Sequence, residues 1–140
     1  MIVVSVEVSA PLEDVWRANT TPDAIMRWNA ASDDWHTTTA TVELRPGGQF
    51  SSRMEARDGS MGFDFAGEYT AVVPHERLAY RFGDRTATVE FSSGEGGVTV
   101  TVSFDPETEH PLEMQRAGWQ AILDNFARYV AREAERPSAP

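Results

Sequence analysis

Three histidines and a few polar side chains are all this chain offers for direct chemistry. His36 follows two acids in "DDWH", which hints at a metal, but the spacing matches no dedicated ligand set. His75 sits in the turn "PHER" and His110 stands just before the last helical stretch, so both are expected at the surface. Acid–base work needs a group within hydrogen-bonding reach of a substrate and with a tuned pKa. The candidates are Glu90, Asp64, Arg53, Gln115 and Asn125. Alternation puts Glu90 with Thr86 and Thr88, opposite Ala87, Val89 and Phe91, so it reads as a solvated strand charge. Asp64 alternates against Phe63 and Phe65, and Arg53 against Met54, so both read as outward. Gln115 and Asn125 flank an apolar helical stripe, where each could bond a ligand or merely border the core. No nucleophile–base pair emerges. No phosphate loop, dinucleotide fingerprint or zinc-protease motif is present, and neither a metal nor a cofactor is expected.

The elements that must position these groups are legible from periodicity. "IVVSVEVSA" is β-branched and alternates, with Ile2, Val4, Val6 and Val8 on one face. Two short helices follow, over "PLEDVWRANT" and "TPDAIMRW". Ser9 and Thr21 stand as caps, Pro11 and Pro22 fit the first turns, and Leu12, Val15 and Trp16 share a face. From His36 to Phe104 the pattern is almost wholly β. The strands "HTTTATVELR", "QFSSRMEAR", "MGFDFAGEYTAVV", "RLAYRF", "RTATVEF" and "VTVTVSF" are separated by turns such as "PGG", "RDGS" and "GEGG". Seven strands with short links predict antiparallel neighbours from the second strand onward. A long helix is predicted from near Pro111 to about Glu135, ahead of a frayed tail, residues 136–140. One domain, residues 1–135, accounts for the rest.

That last helix, about 37 Å long, carries a stripe of Leu112, Trp119, Ile122, Leu123, Phe126 and Val130, flanked by Met114, Gly118, Ala121 and Tyr129. No second long helix can cover it, so the sheet must. The expected fold is α+β, a curved seven-stranded antiparallel sheet wrapped around the long C-terminal helix, with two short helices between strands one and two. Gly118 costs about 1 kcal/mol in a helix interior, and a close approach by a strand or side chain would explain it. The inner strand faces mix bulky residues (Phe50, Met54, Phe63, Phe65, Tyr69, Tyr80, Phe82) with small ones (Ser52, Ala56, Gly67, Ala71). One helix on a curled sheet could leave a cavity over the small positions. Its candidate ligand-binding residues are Trp28, Phe50, Met54, Phe63, Phe65, Tyr69, Tyr80, Phe82, Gln115, Trp119, Ile122 and Phe126. Packing these side chains into an ordinary core is the competing reading.

The ordered pieces "SAPLEDVWRANTTPDAIMRW", "LRPGG", "FAGEYTAVVPHERLAYRF", "GGVTVTVSF" and "QRAGWQAILDNFARYV" resemble the homologue family of the heat-shock-protein ATPase activator. That family lies in the START-like, Bet v 1-like superfamily, also called SRPBCC, and the resemblance runs from about Val3 to Val130. It implies a helix-grip fold and a cavity for lipids, polyketides or flavonoid-like aromatics. It does not imply one activity: a ligand carrier, a cyclase- or hydrolase-like enzyme and a chaperone partner all remain open.

Composition narrows the partners. A formal charge of −10 argues against nucleic acid and anionic membranes. No apolar run approaches the roughly 20 residues of a membrane span. The N-terminal stretch lacks the basic region of a signal peptide. The absence of cysteine fits a reducing compartment, so the expected location is cytoplasmic. A homodimer could form through an open sheet edge or the outer side of the long helix.

Overall fold

The computed structural model describes residues 1–135 of the chain, so the expected tail, residues 136–140, lies outside the described residues. The elements run β1 (Ile2–Val8), α1 (Leu12–Thr20), α2 (Pro22–Trp28), β2 (Trp35–Val42), β3 (Gln49–Ala56), β4 (Gly62–Val73), β5 (Arg77–Phe82), β6 (Arg85–Gly94), β7 (Gly97–Phe104) and α3 (Leu112–Glu135). Across the described residues seven strands form one sheet in the order β1-β7-β6-β5-β4-β3-β2, every neighbouring pair antiparallel. β2 to β7 form a continuous meander. β1 joins beside β7, so α1 and α2 carry the chain from one edge of the sheet to the other. The sheet curls around α3 as the sequence pattern requires.

The core lies between the inner sheet face and α3. Phe104, Phe126, Leu78, Val15, Val98, Val100 and Val130 are fully buried. Each such side chain contributes about 1.5–3 kcal/mol by leaving water. The face assignments hold along β5, where Leu78 and Phe82 are buried, and along β6, where Ala87, Val89 and Phe91 are buried and Glu90 is exposed. Short α1 and α2 gain their stability from this packing, as helices of such length must.

Several expectations are corrected. The alternation of β4 does not run unbroken to Val73. A bulge between Tyr69 and Ala71 inserts one residue, after which Val72 pairs with Leu78 while Ala71 pairs with Ala79. The inner face therefore passes to Val72, and Val73 is exposed. Ser9 caps nothing: Pro11 occupies the N-cap of α1. Thr21 is the N-cap of α2, but its side chain makes no capping bond. β2 ends at Val42: beyond it the Glu43 carboxylate takes the Gln49 N–H, and the Glu43 carbonyl accepts from the Arg45 N–H instead of from the neighbouring strand. Leu112 and Met114 belong to no buried stripe. Both are exposed.

Gly118 has no close neighbour. A Cβ built there meets nothing within 4 Å. The glycine that does need its missing side chain is Gly67 in β4. A Cβ there would lie 2.8 Å from Phe50 Cζ and would also collide with the Arg81 carbonyl. Phe50, its cross-strand partner, lays its ring over this gap and so reaches Tyr69 and Tyr80 at centroid distances of 5.2 and 5.0 Å.

The free edge of β1 is partly covered by α3. Arg116 Nη1 donates to the Val3 carbonyl at 2.8 Å, and Gln120 Nε2 donates to the Ser5 carbonyl at 3.0 Å. These bonds take acceptors that a second chain would need for strand pairing.

Candidate ligand cavity

A cavity of about 330 Å³ lies between the sheet and α3. Three sets of elements build it. β3 and β4 supply Met54, Phe63 and Phe65, while β5, β6 and β7 supply Tyr80, Arg85, Val89 and Val102. α3 supplies Trp119, Ile122, Leu123 and Phe126, spaced at three and four residues so that all face the sheet. Asn19, Trp28 and Asn29 close the end beneath α1 and α2. A recess of about 90 Å³ adjoins it, lined by Phe50, Ser52, Tyr69 and Leu78 among others and sharing Phe65, Tyr80, Trp28, Asn19 and Asn29. The larger volume sits at the low end of the range for small-molecule sites.

The walls are held rigidly. Trp119 stacks on Phe104 at 3.9 Å between ring centroids with planes 9° apart. Its other neighbours are Phe82 and Phe65, at 5.8 and 6.2 Å. Phe126 meets Trp28 edge-on at 4.9 Å. Trp28 is fixed in turn by its indole N–H, which donates to the Ala18 carbonyl at 2.8 Å. Offset and edge contacts of this kind add about 0.5–1.5 kcal/mol each beyond area burial.

Eight of the twelve sequence-derived candidates line the main cavity: Trp28, Met54, Phe63, Phe65, Tyr80, Trp119, Ile122 and Phe126. Phe63 stands at its open margin, 47% exposed. Phe50 and Tyr69 line the recess instead. Phe82 lines neither. It packs behind the wall against Phe65, Tyr80 and Trp119. Gln115 also lines neither. Its side chain, almost fully buried, donates to the carbonyls of Glu107 and His110 and accepts from the Glu107 N–H, which pins the loop before α3. Asn125 likewise serves the backbone, donating to the Trp28 carbonyl at 2.9 Å and so tying α3 to α2.

The small inner positions do not create this cavity. Phe50 fills the gap at Gly67, and of the four only Ser52 lines a void, the recess. The main volume lies between α3 and the inner-face residues Met54, Val89 and Val102.

Sequence reasoning missed six lining residues, the apolar Val89, Val102 and Leu123 and the polar Asn19, Asn29 and Arg85. Two of the polar three carried a signal. Asn19 continues the helical spacing of Leu12, Val15 and Trp16. Arg85 sits one alternation step before Ala87 and Val89 on the inner face of β6. Asn29 follows the last turn of α2, where periodicity says nothing.

Burial holds the phenols of the lining in their neutral form. The Tyr69 hydroxyl is pushed up to about 12 by burial. Tyr80 is pushed higher still, chiefly by burial and secondarily by Tyr69, with Arg85 opposing. Both are hydrogen-bonding groups rather than bases at neutral pH. Glu90 and Asp64 are exposed, and Arg53 pairs with Glu55 at 3.0 Å on the outer face. None of the three histidines is a lining residue. His75 lies against Trp16 at 5.7 Å, and Glu107, Glu109 and His110 form a surface group whose ligand atoms fall within 4.8 Å of one another. The Glu107 carboxylate there already accepts from the backbone N–H of His110.

Comparison with known proteins agrees with this architecture. The family described as Activator of Hsp90 ATPase homolog 1-like protein matches residues 9–131. Among curated proteins, none matches the chain significantly. The chain is similar to the solution structure of an AHSA1-like protein from Aeromonas hydrophila, with 46% identity, TM-score 0.91, and coverage of 99% of this chain and 98% of that one. It is also similar to a protein from Cytophaga hutchinsonii, with 40% identity, TM-score 0.80, and coverage of 99% and 96%. A protein from Chromobacterium violaceum shares 26% identity at TM-score 0.82, over 93% and 96% of the two chains.

Proposed function

The chain belongs to the activator of Hsp90 ATPase homolog 1-like family, and from that premise we propose that it binds a small apolar or aromatic molecule in the cavity between the sheet and α3. The observation that carries this reading is an apolar cavity of about 330 Å³ walled by Phe65, Trp119 and Phe126 and edged by a few polar side chains. Concave, mostly apolar sites with a small number of placed polar groups are where small molecules bind. Met54 adds adaptable apolar surface and Ile122 a stiffer aliphatic one. The contacting residues in this proposal are Trp28, Met54, Phe63, Phe65, Tyr80, Trp119, Ile122 and Phe126, with Phe50 and Tyr69 reached by a ligand that extends into the recess.

Binding is favoured over catalysis by the chemistry of the lining. Among the described residues the cavity is edged by amides, phenols held neutral and one guanidinium, groups that orient a ligand but do not abstract a proton at neutral pH. A cytoplasmic carrier or sensor of such a ligand fits the cysteine-free sequence. Among the described residues, no helix is long and apolar enough to cross a membrane.

The test is a panel of fatty acids, flavonoids and polyketide-like aromatics read by tryptophan fluorescence and thermal shift. Trp28 and Trp119, both in the lining, are expected to be quenched by a bound ring system. Native mass spectrometry of the purified protein gives an independent readout. A flat response across the panel, with no retained mass, would remove the reading.

A further inference from the structure

We propose that the occupant of this cavity is an anion, an aromatic or apolar carboxylate whose charge pairs with Arg85. The inference rests on the ligand-binding reading above and names the class of ligand.

Arg85 is the single cation in the cavity lining among the described residues. It is half-buried, and its guanidinium lies over the Phe82 ring at 4.5 Å, so one face is held by an aromatic wall. It enters no ion pair among the described residues. Its one hydrogen bond is long, from Nη1 to the Asp105 backbone carbonyl at 3.3 Å. The nearby Asp105 carboxylate is otherwise engaged: one of its oxygens accepts from the Thr86 N–H and hydroxyl, each at 2.9 Å. A guanidinium carries five N–H donors in a planar fork suited to a carboxylate. Asp105 and Glu107 both lie near enough to feel its charge, but neither carboxylate reaches ion-pair distance, so most of that donor capacity is unused.

The neighbouring groups fit the same ligand. The hydroxyl of Tyr80 and the side-chain amides of Asn19 and Asn29 have no hydrogen-bond partner among the described residues. Among the described residues no side-chain polar atom is both buried and unpartnered. These groups therefore open into accessible space, and all three residues line the cavity. Tyr80 stands on β5, whose Phe82 pairs with Arg85 in register, so phenol and guanidinium edge one side of the cavity. Asn19 and Asn29 belong to the end beneath α1 and α2. A ligand that satisfies the site carries its carboxylate toward Arg85, its rings between Phe65, Trp119 and Phe126, and a polar substituent toward the two asparagines.

The whole-protein field opposes such a ligand, because a formal charge of −10 repels anions at long range. A preference for the anion must therefore come from local pairing, and that makes the idea testable with a matched pair of probes. 2-Naphthoate and 2-naphthamide are titrated at pH 7.5 and 0.15 M salt by tryptophan fluorescence and calorimetry. The native protein is expected to bind the carboxylate at least about tenfold more tightly, the size of one charge-assisted contact. Arg85→Gln should abolish that preference, read as the ratio of the two probes' affinities within the same variant, and Arg85→Lys should keep part of it. Thermal melts establish that each variant is folded. Equal binding of both probes by the native protein, or an unchanged preference in Arg85→Gln, overturns the anion while leaving the ligand-binding reading intact. Binding of neither probe defeats the cavity reading and this inference together.

Discussion

Replacing Gly118 by alanine is expected to stabilise the protein by about 1 kcal/mol. The added methyl group meets nothing within 4 Å, so it brings no steric cost. What remains is the backbone term: glycine in a helix interior is about 0.8–1.0 kcal/mol worse than alanine, largely because the unfolded glycine has more freedom to lose. For a domain of this size the change corresponds to a rise in Tm of about 3–4 °C. Differential scanning calorimetry on the two proteins measures it, with urea unfolding as a second readout. Gly67→Ala is the control. It adds the same methyl group to a strand where the new Cβ would lie 2.8 Å from Phe50 Cζ and against the Arg81 carbonyl. Overpacking there is expected to cost about 1–3 kcal/mol. Opposite signs for one chemical change would confirm that space, not glycine itself, decides. A Gly118→Ala protein that melts at or below the native Tm would refute the reasoning and point to a close contact at the N-terminal half of α3.

Phe126→Ala removes a fully buried ring packed on Trp28; a loss of about 3–5 kcal/mol in chemical denaturation is expected. Gln115→Ala should cost about 1–3 kcal/mol by stranding the Glu107 N–H and two loop carbonyls, yet leave probe affinity unchanged, because Gln115 lies outside the cavity. Alkaline stability should fall steeply. The folded pKa of Tyr69, about 12, exceeds its ordinary value of 10.0, so its contribution is complete below pH 10 and is lost as pH rises toward 12. Each such phenol adds a slope of up to about 1.4 kcal/mol per pH unit in that window. Urea unfolding of Tyr69→Phe across pH 9–12 should show a shallower decline than the native protein, and an identical decline would contradict the assigned burial.

Much of the site could be read in advance, and the reasons for success and failure are physical. Ile122, Phe126 and Trp119 were legible because a helix with one sheet to lie on must show its apolar stripe inward. Tyr80 and Phe65 were legible because period two puts alternate residues on one face. The same arithmetic, carried one step further, reaches Arg85 and Asn19, which polarity had disguised. Phe82 and Gln115 mark the limit. A residue can lie on the inner face and still stand behind another ring, and a buried amide can be consumed by its own loop. Neither outcome is visible without knowing what stands in front.

Local pattern alone therefore determined the order of elements, the antiparallel meander, the inner faces before the β4 bulge and the need for α3 to be gripped. These follow from turn chemistry and from apolar periodicity, which act over a few residues. Only the tertiary structure decided that the gap over Gly67 is filled by Phe50, that Gly118 faces open space, and that α3 stands far enough from the sheet to leave about 330 Å³ beside an Arg85 with no ion pair among the described residues. Those facts depend on how far apart two packed layers settle. That distance is set by the sum of many side-chain contacts between residues remote in sequence, and no short stretch of the chain encodes it.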